Sequence, residues 1–588
     1  MERRKFLKAA SLITAATTLA ACQAETPQPG RPSATPPAVA QPTSPAATSV
    51  GPSPAASSAT ATASLAPSEP PPAVVDLPTL ITRRLTFGAR PSAPLVDPSA
   101  ADVLTAFLDS QLNPDSIDDS EFEQRLQAAG LETLSKSLAD LAHDHIVHNP
   151  YGDNDDRHWE WYIQPYSELI RATFLRAVYS RKQLPELLAD FWHNHFNVFG
   201  EQDEVAPLLL SYDRDVIRAN QFGNFRQFLE GVASHPSMLV YLNNRSNTDA
   251  GPNENFAREL LELHTLGAEN YLGVLDPNTV ARDENGVPVG YVDNDVYETA
   301  RCFTGWRLND DLWEGEDDVD DSLTFLYYQP WHDRFNKLVL GQYLPSDQPP
   351  LKDGRDVLDL LASHPGTARH IARKLCRRFV ADDPPPSLVD KVAATFLEQQ
   401  ASPTQLRAVY RTLFLSDEFQ ASSGQKLKRP LEWAVSTLRA LEAEMSHVPD
   451  GVFWTTQMMG QALFGHHAPD GYADTADAWT NSMSSIYGWN LITGLAENWW
   501  SEEADGHNVT VDLLAQTQPA VKTPDGLLTY WLQRFQLPPL PSPAHAAMLA
   551  LLAGEAGPTG PLTADELAEK VPALVTLLLM SPPFRSRG

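Results

Sequence analysis

Hydrophobic residues recur at helical spacing through most of the chain after about residue 80. In SELIRATFLRAVYS (167–180), QLPELLADFWHNHFNVF (183–199) and TARHIARKLCRRFVAD (367–382), apolar residues fall at i, i+3 and i+4, and charged residues occupy the opposite face. A proline or a capping residue precedes several such segments, as expected at helix starts. The pattern predicts a mainly α fold with a large multi-helix body.

One segment departs from the helical pattern. Residues 322–345, SLTFLYYQPWHDRFNKLVLGQYLP, contain two runs of β-favouring residues around a polar turn. We therefore predict a β-hairpin in this segment. The body as a whole is expected to carry one or two such small β-hairpin excursions.

The N-terminal part of the chain has a different composition. Residues 22–78 are almost entirely Pro, Ala, Ser and Thr, which cannot bury a core, so we expect a disordered tether. Residues 1–21 combine Arg3 and Arg4 with a short apolar stretch, which is typical of a twin-arginine export signal. The helical body then comprises residues 79–588.

The last residues of this signal predict a lipid anchor. Leu-Ala-Ala-Cys at residues 19–22 is similar to a bacterial lipobox, in which Cys22 becomes the lipidated first residue of the mature protein. The membrane would then be a partner, and the protein would be held at the cell envelope or surface. A plain cleaved signal with a chance cysteine is the alternative.

Charge and cysteine content exclude some classes of function. A formal net charge of −31 argues against a nucleic-acid partner, because phosphate backbones repel an acidic surface. Beyond Cys22 only Cys302 and Cys376 remain, so disulfides do not organise the fold. These two cysteines either pair in an oxidising envelope or are lone buried thiols.

Six motifs follow one another along the body: RRLTFGARP, FWHNHFNV, GPNENFARELLELHTLG, DVYETARCFTGW, HDRFNKLVLG and ARKLCRRFV. In this order they resemble the bacterial domain of unknown function 1800 family, from about Ile81 to the C-terminal LLLMSPPF. The resemblance implies a large, mostly helical exported protein without an established reaction. It also implies a partner, since such proteins are often encoded beside exported proteins of the alkaline phosphatase and sulfatase type.

The most polar of these motifs is GPNENFARELLELHTLG, residues 251–267. As one α-helix, it has Pro252 in its first turn and Gly267 beyond its end. Its exposed side carries a ladder of ion pairs at i, i+4 and i+8, formed by Glu254, Arg258 and Glu262.

Three further residues of this motif, Asn255, Glu259 and His264, lie on or beside its apolar face. We expect the His264 imidazole to be buried. A half-buried Glu259 needs a partner, because burial of an unpaired carboxylate is costly. That partner is an arginine from another helix, in a structural ion pair, or else a metal ion or a substrate.

The motif FWHNHF places His193 and His195 two residues apart. On a helix their rings point roughly 160° apart, so we do not expect the two to chelate one metal. His195 shares the apolar face with Leu188 and Phe191, which makes it either a core histidine or a ligand in a buried site.

Two more groups of residues are candidates for catalysis or ligand binding. His332 and Asp333 fall in the polar turn of the predicted hairpin, where they either display functional groups or stabilise the turn. Arg373 lies with Arg369 and Arg377 on one helix face. These arginines either neutralise carboxylates such as Glu259 or bind an anionic ligand.

Two hypotheses about function follow. In the first, the body is a hydrolase-like enzyme acting on an envelope or extracellular substrate. Its catalytic residues are His195, Glu259, His332 and Asp333, its ligand-binding residues are Asn255, Arg258 and Arg373, and its divalent-metal ligands are His195, Glu259 and His264. In the second, the body is a non-catalytic surface scaffold or partner subunit, which fits the absence of G-x-S-x-G, H-E-x-x-H and P-loop motifs.

Overall fold

The computed structural model describes residues 75–588, apart from 153–154, 203, 311–321, 446 and 502–507. The predicted signal, Cys22 and most of the predicted tether lie outside the described residues. The described residues form one compact unit. The described part is mostly helical, with three small two-stranded antiparallel sheets, so the predicted fold class is confirmed.

Among the described residues, the first half of the body contains eleven α-helices. They are α1 Leu77–Arg84, α2 Val103–Gln111, α3 Ser120–Ala128, α4 Leu138–Ala142, α5 Asp156–Tyr179, α6 Gln183–His195, α7 Val205–Ser211, α8 Phe225–Ser234, α9 Pro236–Tyr241, α10 Glu254–Glu259 and α11 Asp293–Cys302. Three π-helical segments continue α4, α7 and α10, namely His143–Val147, Tyr212–Arg218 and Leu260–His264.

The second half of the body adds thirteen helices. They are α12 Lys352–Ser363, α13 Pro365–Phe379, α14 Pro386–Glu398, α15 Gln405–Phe414, α16 Asp417–Gln420, α17 Pro430–Ala440, α18 Asp450–Met458, α19 Ser482–Ala496, α20 Leu513–Gln516, α21 Pro524–Arg534, α22 Ser542–Leu552, α23 Ala564–Met580 and α24 Pro582–Arg585. Helix α13 packs against α14, α5 packs against α7 and α17, and α10 packs against α11. Among the described residues no helix is both long and apolar enough to cross a membrane.

The predicted hairpin over residues 322–345 is wrong in its pairing. Strand β2 (Phe325–Tyr327) pairs with the earlier strand β1 (Trp306–Leu308), and β3 (Lys337–Val339) pairs with β4 (Gln342–Leu344). The two β-favouring runs therefore belong to different sheets. Strand β1 is buried along its whole length and supplies a partner that the local pattern could not reveal. A third pair joins β5 (Glu444–Met445) to β6 (Val509–Thr510).

The two cysteines of the body do not pair. Cys302, at the end of α11, and Cys376, in α13, are both free and fully buried. Burial raises the pKa of the Cys376 thiol to about 12, because the thiolate would lose its solvation. Both cysteines are therefore lone buried thiols that pack as small core residues, which is the second of the two alternatives that the sequence left open.

Buried charges connect distant parts of the chain at one point, which we call the arginine hub. It consists of Arg84, Arg378, Arg429 and Arg587 around the carboxylate of Glu432, and each of these side chains is at most 4 % exposed.

Within the hub, Arg378 donates to Glu432 Oε1 over 3.1 Å, and Arg587 Nε lies 2.8 Å from the same oxygen. Arg84 donates to the carbonyls of Phe379 (2.7 Å) and Arg587 (2.8 Å). The hub thus joins α1, α13, α17 and the C-terminus.

Neutralising Glu432 tests the structural role of this hub. The substitution Glu432→Gln leaves several arginines without their shared anion, so we expect the free energy of unfolding to fall by about 3–5 kcal/mol. Chemical denaturation measures this loss. Asp390→Asn is the matched control, because it removes an exposed ion pair with Arg369 and should cost under about 1 kcal/mol. Equal stability of the two variants would contradict the role of the hub.

Candidate functional site

The motif at residues 251–267 forms a helix that begins as an α-helix and ends as a π-helix. Asn253 caps α10, since its side-chain oxygen accepts the backbone N–H of Asn255 over 3.0 Å. Pro252 lies before the cap, not in the first turn, so that prediction is wrong. After Glu259 the helix continues as a π-helix to His264, a conformation that often marks functional sites.

The π-helix breaks the predicted ladder of ion pairs. Arg258 binds Glu254 over 3.2 Å as expected, but its second partner is Asp293, at 3.6 Å, and not Glu262. A π-helical turn changes the angle between residues four apart, which moves Glu262 off the ladder. The amide of Asn255 donates to the carbonyl of Leu242 over 3.2 Å. Asn255 and Arg258, two predicted ligand-binding residues, thus make structural contacts.

His264 is buried completely, as predicted. Its ring lies 5.3 Å from the ring of Phe196 and 6.3 Å from that of His195, measured between centroids. Neither ring nitrogen has a hydrogen-bond partner among the described residues. Burial, with smaller contributions from Lys374 and His370, lowers its pKa to about 3, so the imidazole is neutral.

His195 ends α6 and faces the π-helix. Its Nε2 lies 3.2 Å from the carbonyl oxygen of His264. Because a carbonyl only accepts, Nε2 carries the hydrogen and Nδ1 presents a lone pair. That Nδ1 is buried and has no partner in the described part of the chain. Burial, and then the charge of Lys374, holds the pKa of His195 well below its usual range.

Helix α13 contributes His370 and Lys374, one turn apart. The Nε2 of His370 lies 3.1 Å from the carbonyl oxygen of Leu263, and its ring centroid lies 6.2 Å from that of His195. Lys374 is partly buried, and burial lowers its pKa to about 8. Across the described residues, its ammonium group has no hydrogen bond and no ion pair.

The carboxylates that act on the pKa of Lys374 each have another close partner. Glu269 pairs with Arg373 over 2.7 Å, so this predicted ligand-binding arginine is engaged in a structural ion pair. Asp470 lies 3.0 Å from His466. Asp474 lies 3.5 Å from Arg429 and 3.7 Å from Arg378. Lys374 is therefore left without a counter-ion of its own.

Glu259, in the helix that leads to His264, is a second charged group without an ion pair among the described residues. It is partly buried, and the arginine partner considered from the sequence does not occur among the described residues. Burial first, and then the charges of Glu262 and Asp470, raise the pKa of Glu259 to about 7. Asp470 also acts on the pKa of Lys374, so its loop lies within electrostatic reach of both groups.

We call the set of His195, His264, His370 and Lys374 the Lys374 site. It brings together two of the predicted site residues, His195 and His264, whereas Glu259 makes no contact with the site among the described residues. His370 and Lys374 were missed as site residues, because the pattern of α13 only marked it as a cationic helix. The i, i+4 spacing of a histidine and a lysine beside an apolar stripe is the one local signal that could have found them.

His332 and Asp333 belong elsewhere. His332 Nδ1 lies 2.9 Å from the carbonyl oxygen of Thr304, and its Nε2 lies 3.2 Å from Asp353. Asp333 accepts two hydrogen bonds from Arg301, at 2.7 and 3.1 Å. These contacts anchor the segment between β2 and β3, and none involves the Lys374 site.

The predicted metal ligands do not form a metal-binding group. Within the described ranges, no cluster of three or more His, Cys, Asp or Glu side chains could hold a metal ion. The Nε2 of His195 is occupied by the carbonyl of His264, and Nδ1 is the one free ligand atom of that ring. We therefore derive no chemistry through a metal at His195, Glu259 and His264.

Another polar region lies around His193, on α6. A cavity of about 40 Å³ is lined by Glu186, Asp190, His193 and Arg218, among others. His193 binds Asp213 over 2.9 Å, and Arg218 binds Glu186 over 2.8 Å. The cavity has room for about one or two water molecules. Its charges are paired, unlike those of the Lys374 site.

Comparison with known proteins places the chain in a family. No curated protein and no solved structure matches it. A family model described as "Protein of unknown function (DUF1800)" matches residues 80–586, nearly the whole chain. This range includes every residue of the Lys374 site. The chain therefore belongs to the DUF1800 family, as its motifs indicated.

Proposed function

We propose that this protein is an exported, lipid-anchored enzyme of the cell envelope that performs acid–base hydrolysis at the Lys374 site. The observation that carries the proposal is a pair of unpaired charges within electrostatic reach of Asp470: Lys374, which acts on the unpartnered imidazole of His264, and Glu259, in the helix that leads to His264. Elsewhere in this chain buried carboxylates such as Glu432 and Asp213 have close cations. Unpaired charges near a core lower stability, and functional sites are where such groups are retained.

The two groups have complementary roles in hydrolysis. Glu259, with its pKa near 7, is deprotonated in an adequate fraction at neutral pH to accept a proton from the attacking water. Lys374, with its pKa near 8, is still mostly an ammonium ion there and stabilises the developing oxyanion. A partly buried position strengthens that stabilisation, because the local dielectric is lower than in water.

The proposal predicts a narrow pH optimum. Activity requires ionised Glu259 and protonated Lys374, so kcat/KM should rise as the pH passes about 7 and fall as it passes about 8. A panel of 4-nitrophenyl carboxylic esters, phosphoesters and glycosides measures this with the purified full chain. Glu259→Gln is expected to lower kcat at least 100-fold and to abolish the acidic limb.

Glu262→Gln is the matched control for this experiment. Glu262 is also partly buried, and its charge raises the pKa of Glu259. This variant should keep kcat and move the acidic limb to lower pH, because Glu259 then ionises more readily. Absence of turnover in every substrate class, or full activity in Glu259→Gln, would contradict the enzymatic proposal.

Export and anchoring rest on the N-terminal sequence. Arg3 and Arg4 support twin-arginine export, and Leu-Ala-Ala-Cys supports lipidation of Cys22. We predict that Cys22→Ser moves the protein from the membrane fraction to the soluble fraction, because the lipid is attached through that sulfur. Fractionation with immunodetection measures the shift, and Gln23→Ala is the neighbouring control. Membrane retention of Cys22→Ser would disprove the anchor.

One observation favours the second function, that of a partner subunit. Helix α19 contains no charged residue, and it exposes Met483 (51 %), Ile486 (49 %) and Trp489 (45 %) at intervals of three. Such apolar faces often mark protein contacts. An exported phosphatase- or sulfatase-like protein is the partner that the family resemblance implies. Loss of its co-purification in Trp489→Ser, with turnover unchanged, would assign this role to α19.

A further inference from the structure

A cavity beside helix α1 is lined by three arginines. They are Arg90, Arg439 and Arg534, and no residue of the Lys374 site is among the described residues that line it. Its volume is about 320 Å³, which lies in the size range of small-molecule sites. The motif RRLTFGARP (83–91) supplies Arg90, so the cavity gives the first of the six sequence motifs a place in a candidate binding site.

Arg439, in α17, is a buried cation without a carboxylate partner among the described residues. Only 3 % of its surface is exposed. Its guanidinium donates through Nε to the carbonyl of Gly88 over 2.8 Å, and through Nη1 to the carbonyls of Ala177 and Val178. Nη2 has no partner in the described part of the chain. Burial first, and then the charge of Arg90, lower the pKa of Arg439 to about 9.

Arg90 is the second cation of this cavity that lacks a close anion. It is 9 % exposed, contacts the ring of Tyr179 and makes no hydrogen bond with any described residue. Its Nη2 lies 3.6 Å from Glu121 and 4.0 Å from Glu444, too far for hydrogen bonds. Both carboxylates are mostly exposed and also pair with Arg125, at 3.6 and 2.9 Å. Two buried guanidinium groups of like charge therefore lie within electrostatic reach of each other.

The other charged groups of the wall already have partners. Arg534 donates to Glu442, and Asp76 caps the N-terminus of α1. The two arginines without a close anion also line a neighbouring cavity of about 20 Å³ with Asp119, whose oxygens accept hydrogen bonds from residues 180–181. The excess charge of the wall is therefore positive.

Apolar groups form much of the remaining wall. They come from the segment that follows Arg90, namely Pro91, Ala93, Pro94, Leu95, Val96 and Pro98. An inorganic anion would leave this surface in contact with water, whereas a ligand with an apolar group would cover it. The wall therefore favours an anion that carries an apolar part.

We infer that this cavity binds a small organic carboxylate, with the carboxylate group on Arg90 and Arg439 and the apolar part against residues 91–98. Buried like charges require an anion, and hydrogen bonds from a guanidinium to a carboxylate are stronger than those between neutral groups. Nη2 of Arg439 and the N–H groups of Arg90 supply the donors. The cavity is a second ligand site, and its binding does not depend on the proposed hydrolysis.

Three probes separate the charge of the ligand from its apolar part. Benzoate carries both, benzamide has the same shape without the charge, and inorganic phosphate has only the charge. With the purified full chain at neutral pH and low salt, titration calorimetry should show benzoate binding at least about tenfold more tightly than the other two. Benzamide or phosphate that binds as tightly as benzoate, or no binding of benzoate at all, would overturn the inference.

Arg90→Met tests the site without breaking a hydrogen bond, so we expect this variant to stay folded. Its affinity for benzoate should fall at least about tenfold, because one of the two cations is lost. Arg157→Met is the matched control, since Arg157 is exposed and pairs with Asp155 outside the cavity. This control should bind benzoate as the unsubstituted protein does. Circular dichroism shows whether each variant is folded.

Thermal unfolding gives a second readout. Saturating benzoate should raise the unfolding midpoint of the unsubstituted protein, because the ligand binds only the folded state. It should raise the midpoint of Arg157→Met by the same amount and leave that of Arg90→Met nearly unchanged. Benzoate binding that survives in Arg90→Met would overturn the inference, whatever the result of the hydrolysis assays.

Discussion

The buried carboxylate of Glu432 joins α13, α17 and the C-terminal residues of the body. Two arginines converge on one of its oxygens, Arg378 from α13 and Arg587 from the C-terminus. Its second oxygen accepts the backbone N–H of Arg429 over 3.0 Å, so it also caps α17. Because a buried guanidinium without an anion is expensive, α13 is fixed in position along with these contacts. The hub therefore sets where α13 presents His370 and Lys374.

The body contains both paired and unpaired charges. The paired charges stabilise the packing of the helices, and the unpaired charges mark the proposed functional site. At the hub and around Asp333, oppositely charged groups meet within 3.1 Å, and such pairs fix helices against one another. At the Lys374 site an ammonium group is left without an ion pair near two imidazoles with unpartnered nitrogens, and Glu259, in the helix that leads to His264, is unpaired as well. Their altered pKa values place both ionisations near neutral pH, where each group exchanges protons readily.

Sequence patterns predicted the features that depend on residues close to one another in the sequence. Apolar spacing located the helices and the burial of His264, and the turn residues around 332–333 were correctly placed between strands. The pairing of β2 with β1 and the π-helix after Glu259 depend on tertiary contacts, so the pattern missed both. For the same reason His370 and Lys374 were missed. Nothing in α13 indicates that His370 and Lys374 meet a π-helix a hundred residues earlier.

We propose that Lys374 is retained for function at the expense of stability. Urea denaturation of Lys374→Met, with Lys391→Met as the reference, measures this loss of stability. Methionine keeps most of the apolar stem and removes the unpaired charge, so the free energy of unfolding should stay the same or rise by about 1 kcal/mol. A fall of about 2 kcal/mol or more would mean that Lys374 is a structural residue with an unrecognised partner, and it would contradict the claim.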